Sequence, residues 1–215
     1  KIDNETLNLL AKAGASFDSR LATKELLLLL QNKNVGIKEI NFHKIATCIA
    51  IVYSFANEWP LVDEWLDIAN RSQNLSDPFT RSKLFELEAF KLTMQGADYH
   101  KAQTLIEAAI DFYGNANKVP IETRVLHGYL LLAQGNINGG IEKIQNSIGE
   151  NSSIQNLYFL IKGLDRAGKL NHGNKDAIEK IFQQTPTNFL EQKLIEEIFF
   201  TVGKNAPRFP TQLIC

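Results

Sequence analysis

One recurring spacing constrains this chain more than any other feature. A small residue is followed three positions later by a large one, as Ala50 and Tyr53, Ala89 and Leu92, Gly128 and Leu131. A second segment then opens with a large residue and continues at helical intervals with small or branched ones: Trp59, Val62, Leu66, Ala69; Tyr99, Ala102, Ile106, Ala109; Ile137, Gly140, Ile144, Ser147. The gap between the two segments is nearly constant, and one extra residue near Gly96–Ala97 breaks the match in the middle unit. A small residue lets two antiparallel helix backbones approach, and a large one on the same face fills the adjoining space. Repeating both lets each pair bury against the next what it could not bury alone. The expected fold class is all-α, with antiparallel helix pairs stacked in an array.

The punctuation between apolar-periodic segments agrees. Pro60, Pro78 and Pro120 each stand before a helical pattern, where a missing N–H is harmless. Asp77, Asp98, Asn136, Asn151 and Thr187 are candidate N-caps, since their side-chain oxygens can accept from free first-turn amides. Gly96, Gly135 and Gly168 follow helical runs, as C-terminal glycines do. Alternating strand patterns and Asn-Gly hairpins are absent. About eleven helices are predicted, near 3–14, 19–33, 40–57, 60–73, 78–96, 98–116, 120–135, 137–149, 152–168, 174–184 and 187–204. Short connections make consecutive helices antiparallel neighbours.

The segments 50–59 (Ala-Ile-Val-Tyr-Ser-Phe-Ala-Asn-Glu-Trp) and 128–137 (Gly-Tyr-Leu-Leu-Leu-Ala-Gln-Gly-Asn-Ile) carry a specific likeness. They resemble the core signature of tetratricopeptide repeats, although two units here exceed that family's period of about 34 residues. The resemblance implies helix pairs stacked in a right-handed superhelix, closed by a capping helix. Its domain reading is a helix pair without the signature at 1–36, three to four repeat-like pairs at 37–186, a capping helix at 187–204 and an irregular tail at 205–215. The fourth unit, about 151–184, holds Leu164, Gly168, Leu170 and Gly173 in register but places Lys180 where a small residue belongs. The capping helix has an apolar stripe (Leu190, Leu194, Ile195, Ile198, Phe199, Val202) and a polar face (Glu191, Gln192, Glu196, Glu197).

Composition narrows the function. Acidic and basic residues nearly cancel, leaving a formal charge of −1 over 215 residues, and no basic patch forms. Direct nucleic-acid binding by this chain is therefore not expected. The densest apolar run is the five leucines Leu26 to Leu30, far short of the roughly 18 residues of a membrane span. A helix-turn-helix at 5–30 is rejected because its second helix would carry those leucines instead of groove-reading polar side chains. The least polar end of the array, 19–33, is a candidate homodimer surface. Two cysteines, Cys48 in an apolar run and Cys215 at the end, form no disulfide framework, and a reducing cytoplasmic setting is expected. The first residue is Lys1, from which a longer parent chain is expected.

Chemical motifs are sparse. None of His43, His100, His127 or His172 has a second histidine at ligand spacing. The carboxylates Glu58, Asp63, Glu64 and Asp67 read as a solvated helix face, with no loop oxygens to complete a cation site. The glycines from Gly135 to Gly140 lack the strand and the Lys-Ser/Thr of a phosphate loop, and a tight turn with close helix contact explains them. No cofactor, metal or catalysis is expected.

In the tetratricopeptide family the first helices of successive pairs line a concave groove. Carried onto this chain, that implies a partner-binding surface of Ile51 and Phe55, Lys83, Phe90 and Met94, Tyr129 and Leu132, and Tyr158, Lys162 and Arg166, with Thr47, Glu86 and Val125 alongside. The middle would be apolar and aromatic and the edges cationic, suited to a helix or extended peptide of a partner protein. The Lys and Asn clamp with which some relatives hold a chaperone's C-terminal carboxylate is not preserved at Thr47, Ile51, Lys83, Glu86 and Leu87. The leading expectation is a non-catalytic protein-interaction scaffold. The alternative is a ligand- or peptide-sensing region of a larger regulator, transcriptional if a DNA-binding domain lies upstream.

Overall fold

The computed structural model describes residues 39–71, 78–115, 118–149 and 152–205. The predicted helices at 3–14 and 19–33, the leucine-rich dimer surface, the caps Asp77 and Asn151 and the tail beyond Asn205 lie outside them. Among the described residues the chain is all-helical, with nine α-helices and no strand. They are α1 (Glu39–Phe55), α2 (Trp59–Arg71), α3 (Pro78–Met94), α4 (Tyr99–Tyr113), α5 (Ile121–Ala133), α6 (Ile137–Ser147), α7 (Ile154–Arg166), α8 (Lys175–Gln183) and α9 (Phe189–Lys204); a 3-10 turn, His172–Asn174, precedes α8. No helix among them is long and apolar enough to cross a membrane.

The first helix of each of four successive pairs ends in the same way. Asn57, Gly96, Gly135 and Gly168 all take positive φ, from 60 to 97°. The next amide reaches back to the last turn, as Glu58 N to Tyr53 O at 3.0 Å, Ala97 N to Leu92 O at 3.0 Å, Asn136 N to Leu131 O at 3.0 Å and Lys169 N to Leu164 O at 2.8 Å. A left-handed residue here satisfies carbonyls that the helix leaves open. Three of these positions are the predicted glycines; at the first, asparagine takes the left-handed conformation it tolerates best among side-chain-bearing residues. The predicted caps Asp98 and Asn136 accept from the amides of Lys101 and Gly139. α7 is capped by Ser153. The expected cap Thr187 is displaced by one residue: Asn188 accepts from Glu191 N at 2.9 Å, while the Glu191 carboxylate accepts from Thr187 N at 2.7 Å. This reciprocal arrangement satisfies two free amides at once.

The small residues of the repeated spacing lie where the helices of a pair meet. Ala50, Ala69, Ala89, Ala102 and Ala109 are fully buried. The closest approach is in α5 and α6, where a Cβ on Gly140 would fall 2.6 Å from Gly128 O and 2.7 Å from Leu132 N. Glycine is required there by backbone contact, which alanine suffices for in the earlier pairs. The pairs α1/α2, α3/α4 and α5/α6 are closely joined, whereas the nine-residue α8 covers α7 sparsely; Lys180, which the register set where a small residue belongs, is exposed.

The first helices touch in succession, α1 on α3, α3 on α5, α5 on α7 and α7 on α9, and α9 returns to α1. The row thus curls until its described ends meet. Leu190, Leu194, Ile198 and Val202 of α9 are buried, as the predicted stripe requires. Phe199 departs from that stripe: it is 57% exposed and stacks edge-on with the exposed Phe182 and Phe200. It lies one position beyond the fully buried Ile198, about 100° further round the helix.

Candidate partner-binding site

The inner side of the curl divides into an open half and a plugged half. α3 and α5 touch only sparsely, and a cavity of about 220 Å³ opens between α1, α3 and α5. Its apolar wall is formed by Ile51, Phe55, Leu87, Phe90, Ile106 and Leu126, and its polar rim by Lys83, Glu86, Glu122, Thr123 and Gln155. Five of the residues placed in the groove by resemblance, Ile51, Phe55, Lys83, Glu86 and Phe90, thus line one space. Phe90 is nearly buried at 8% exposure and forms the floor.

Glu86 organises the rim. Its Oε1 accepts from the hydroxyls of Tyr113 and Thr123, each at 2.7 Å, and its Oε2 from Lys83 Nζ at 2.8 Å. Burial alone would lower the Lys83 pKa, but the adjacent Glu86 carboxylate outweighs it and holds the ammonium above the usual lysine value. Tyr113 is raised by burial and by the same carboxylate. Charge-assisted bonds of this kind fix three helices, α3, α4 and α5, around one wall of the cavity. The Glu86 hub was not visible in the sequence as a hub, because Tyr113 and Thr123 lie 27 and 37 residues away.

The other half of the inner side is filled. Phe159 of α7, 1% exposed, lies 6.1 Å from Phe90, 5.0 Å from Tyr129 and 5.3 Å from Tyr158, ring centroid to ring centroid. Tyr129 and Tyr158 are buried against it, and Leu132 is buried as well. They are core residues, where the resemblance placed the surface of a groove. Tyr158 donates to Glu197 of α9 at 2.7 Å; burial and that carboxylate raise its pKa far beyond the ordinary tyrosine value. Burial also pushes Tyr129 up to about 12, with Tyr99 adding to the rise and Arg166 opposing it. Both phenols stay neutral near pH 7 and act as hydrogen-bonding core rings.

The cations expected at the groove's edge hold helices together. Lys162 Nζ reaches Thr201 Oγ1 at 3.4 Å. Arg166 is exposed, stacks on the Tyr99 ring at 5.0 Å and donates to Ala133 O at 3.2 Å. Met94 is half-buried against the main core. Glu197, expected on the solvated face of α9, turns inward to Tyr158.

The remaining titratable groups are placed as follows. His43 Nδ1 donates to Ala69 O at 2.9 Å, joining the start of α1 to the end of α2. Burial pushes Cys48 up to about 11, so its thiol is poorly nucleophilic near neutral pH. His127 lies 3.4 Å from Glu107; burial first, then the charge of Lys143, lower its pKa. Among the described residues no three or more His, Cys, Asp or Glu side chains come together to hold a metal ion. No protein-family model, curated protein or solved structure matches this chain.

Proposed function

We propose that this chain is a non-catalytic interaction scaffold of tetratricopeptide-like helix pairs, in which a peptide or helix of a partner protein seats one bulky apolar side chain in the cavity between α1, α3 and α5. The observation that carries the reading is the size and lining of that cavity. At about 220 Å³ it is smaller than the ~300–1,000 Å³ typical of small-molecule sites. An apolar cavity of about 150 Å³ holds a benzene ring, so this one suits a single Phe, Leu or Met side chain. Burying such a side chain contributes roughly 1.5–3 kcal/mol, below the ~4 kcal/mol of millimolar binding. The anchor therefore works with further contacts along the partner, as interface anchors do. A right-handed superhelix, as in tetratricopeptide arrays, fits the repeated helix ends and the small-residue contacts.

The test is capture from a lysate of the source cells, comparing the chain with Gln155→Trp, which fills the cavity from its rim. A partner that is lost in the variant, with helicity and melting temperature unchanged, supports the reading. Partners retained in full would remove the cavity as their site. The second reading, a sensing region of a larger regulator, draws support from α9 touching α1. A ligand displacing α1 would act directly on the far end of the array, detectable as altered hydrogen exchange in α9.

A further inference from the structure

The rim of the cavity carries the chemical information that its apolar wall lacks. Glu86 has roughly four lone-pair positions for hydrogen bonds, and three are filled by Tyr113, Thr123 and Lys83. The charges of Lys83 and Glu86 offset each other at 2.8 Å. Glu122 is different. It stands in the first turn of α5, where the helix N-terminus favours an anion. It is exposed and has no hydrogen-bond or ion-pair partner among the described residues. Gln155 of α7 lines the same cavity. Among the described residues the mouth thus offers a carboxylate without a partner and one unused acceptor position on Glu86 beside an apolar floor, and Lys83 is already engaged.

We infer that the cavity selects a peptide in which a bulky apolar side chain is followed by Arg or Lys, the apolar group entering between Ile51, Phe90 and Leu126 and the cation lying against Glu122. The inference rests on the proposed function and adds the chemistry of the partner. An acidic neighbour is disfavoured because it would face Glu122 and could reach Lys83 only by displacing Glu86. A neutral one leaves the carboxylate unused.

The experiment is a titration of the ¹⁵N-labelled chain with three capped hexapeptides. They are identical except for the central pair: phenylalanine-arginine, phenylalanine-glutamate or alanine-arginine. The phenylalanine-arginine peptide is expected to shift amide resonances of α1, α3 and α5 around the cavity with a dissociation constant near millimolar. The phenylalanine-glutamate peptide is expected to bind about 3- to 10-fold more weakly, as befits a solvent-accessible charge contact. In Glu122→Gln, an exposed position that leaves folding intact, the two should bind within about twofold of each other. Equal or tighter binding of the glutamate peptide, or a preference unchanged in Glu122→Gln, overturns the inference while the anchor site stands. If alanine-arginine binds as well as phenylalanine-arginine, or if no peptide shifts cavity amides at about 10 mM, the proposed function falls with it.

Discussion

The two halves of the inner side are built from equivalent helices and end in opposite states. In the first, α1, α3 and α5 present Ile51, Lys83 and Phe90 around an open cavity. In the second, α5 and α7 bring Tyr129 and Tyr158 against Phe159, and all three rings are buried. The difference turns on one side chain. Phe159 reaches from α7 past α5 to Phe90 of α3, and the Tyr158–Glu197 bond holds α9 over the same space. A helical array keeps an open cavity where neighbouring first helices stay apart, and gains core where a large ring draws them together.

The contrast can be broken most forcefully at the plug. Phe159→Ala is expected to cost about 3–5 kcal/mol in denaturant unfolding, the usual range for deleting a buried ring. A loss near zero would mean that the second half is not core. Gly140→Ala should cost about 1–3 kcal/mol in the same assay. The added methyl meets backbone at 2.6 Å, and the ~1 kcal/mol gained in helix propensity does not offset that clash. Tyr158→Phe removes the hydroxyl from Glu197 and should cost about 1–2 kcal/mol.

A smaller effect is expected from pH. The folded-state pKa of His127 lies below its unfolded value, so the unfolded chain binds the proton more readily. Its contribution to stability is fully present above about pH 6.5 and declines as pH falls below that. Melting temperatures of wild type and His127→Gln should converge on acidification through this window, and parallel curves would contradict the assignment. The smallest change in stability, within about 0.5 kcal/mol, is expected for Gln155→Trp, at the rim of the open half. That variant sharpens the comparison because it should remove binding without touching the core.

Much of the architecture was legible from spacing. Nine helices fall within a few residues of their expected bounds, because prolines, capping side chains and Gly96, Gly135 and Gly168 mark their ends. The small residues predicted at pair contacts are buried. Asn57, which ends α1 where glycine ends the first helices of the other three pairs, was hidden by its identity. The site was less legible for a physical reason. A helical repeat fixes which face looks inward, so Phe90, Tyr129 and Tyr158 were aligned together as inward positions, and all three are buried. Whether an inward ring lines a space or fills it depends on helices distant in sequence, here on Phe159 and Glu197. The same limit applies to Phe199, placed on the buried stripe of α9 but exposed in the fold.

The most direct test of an open first half as the binding site is site-specific photocrosslinking. A benzophenone amino acid is placed at Glu122, exposed at the mouth of the cavity, in one sample and at Lys162 in another, and each is irradiated in source lysate. An open, occupied first half predicts a discrete adduct from Glu122, lost when Ile51→Trp fills the cavity, and none from Lys162. An adduct from Lys162 alone, or one at Glu122 that survives Ile51→Trp, would contradict it.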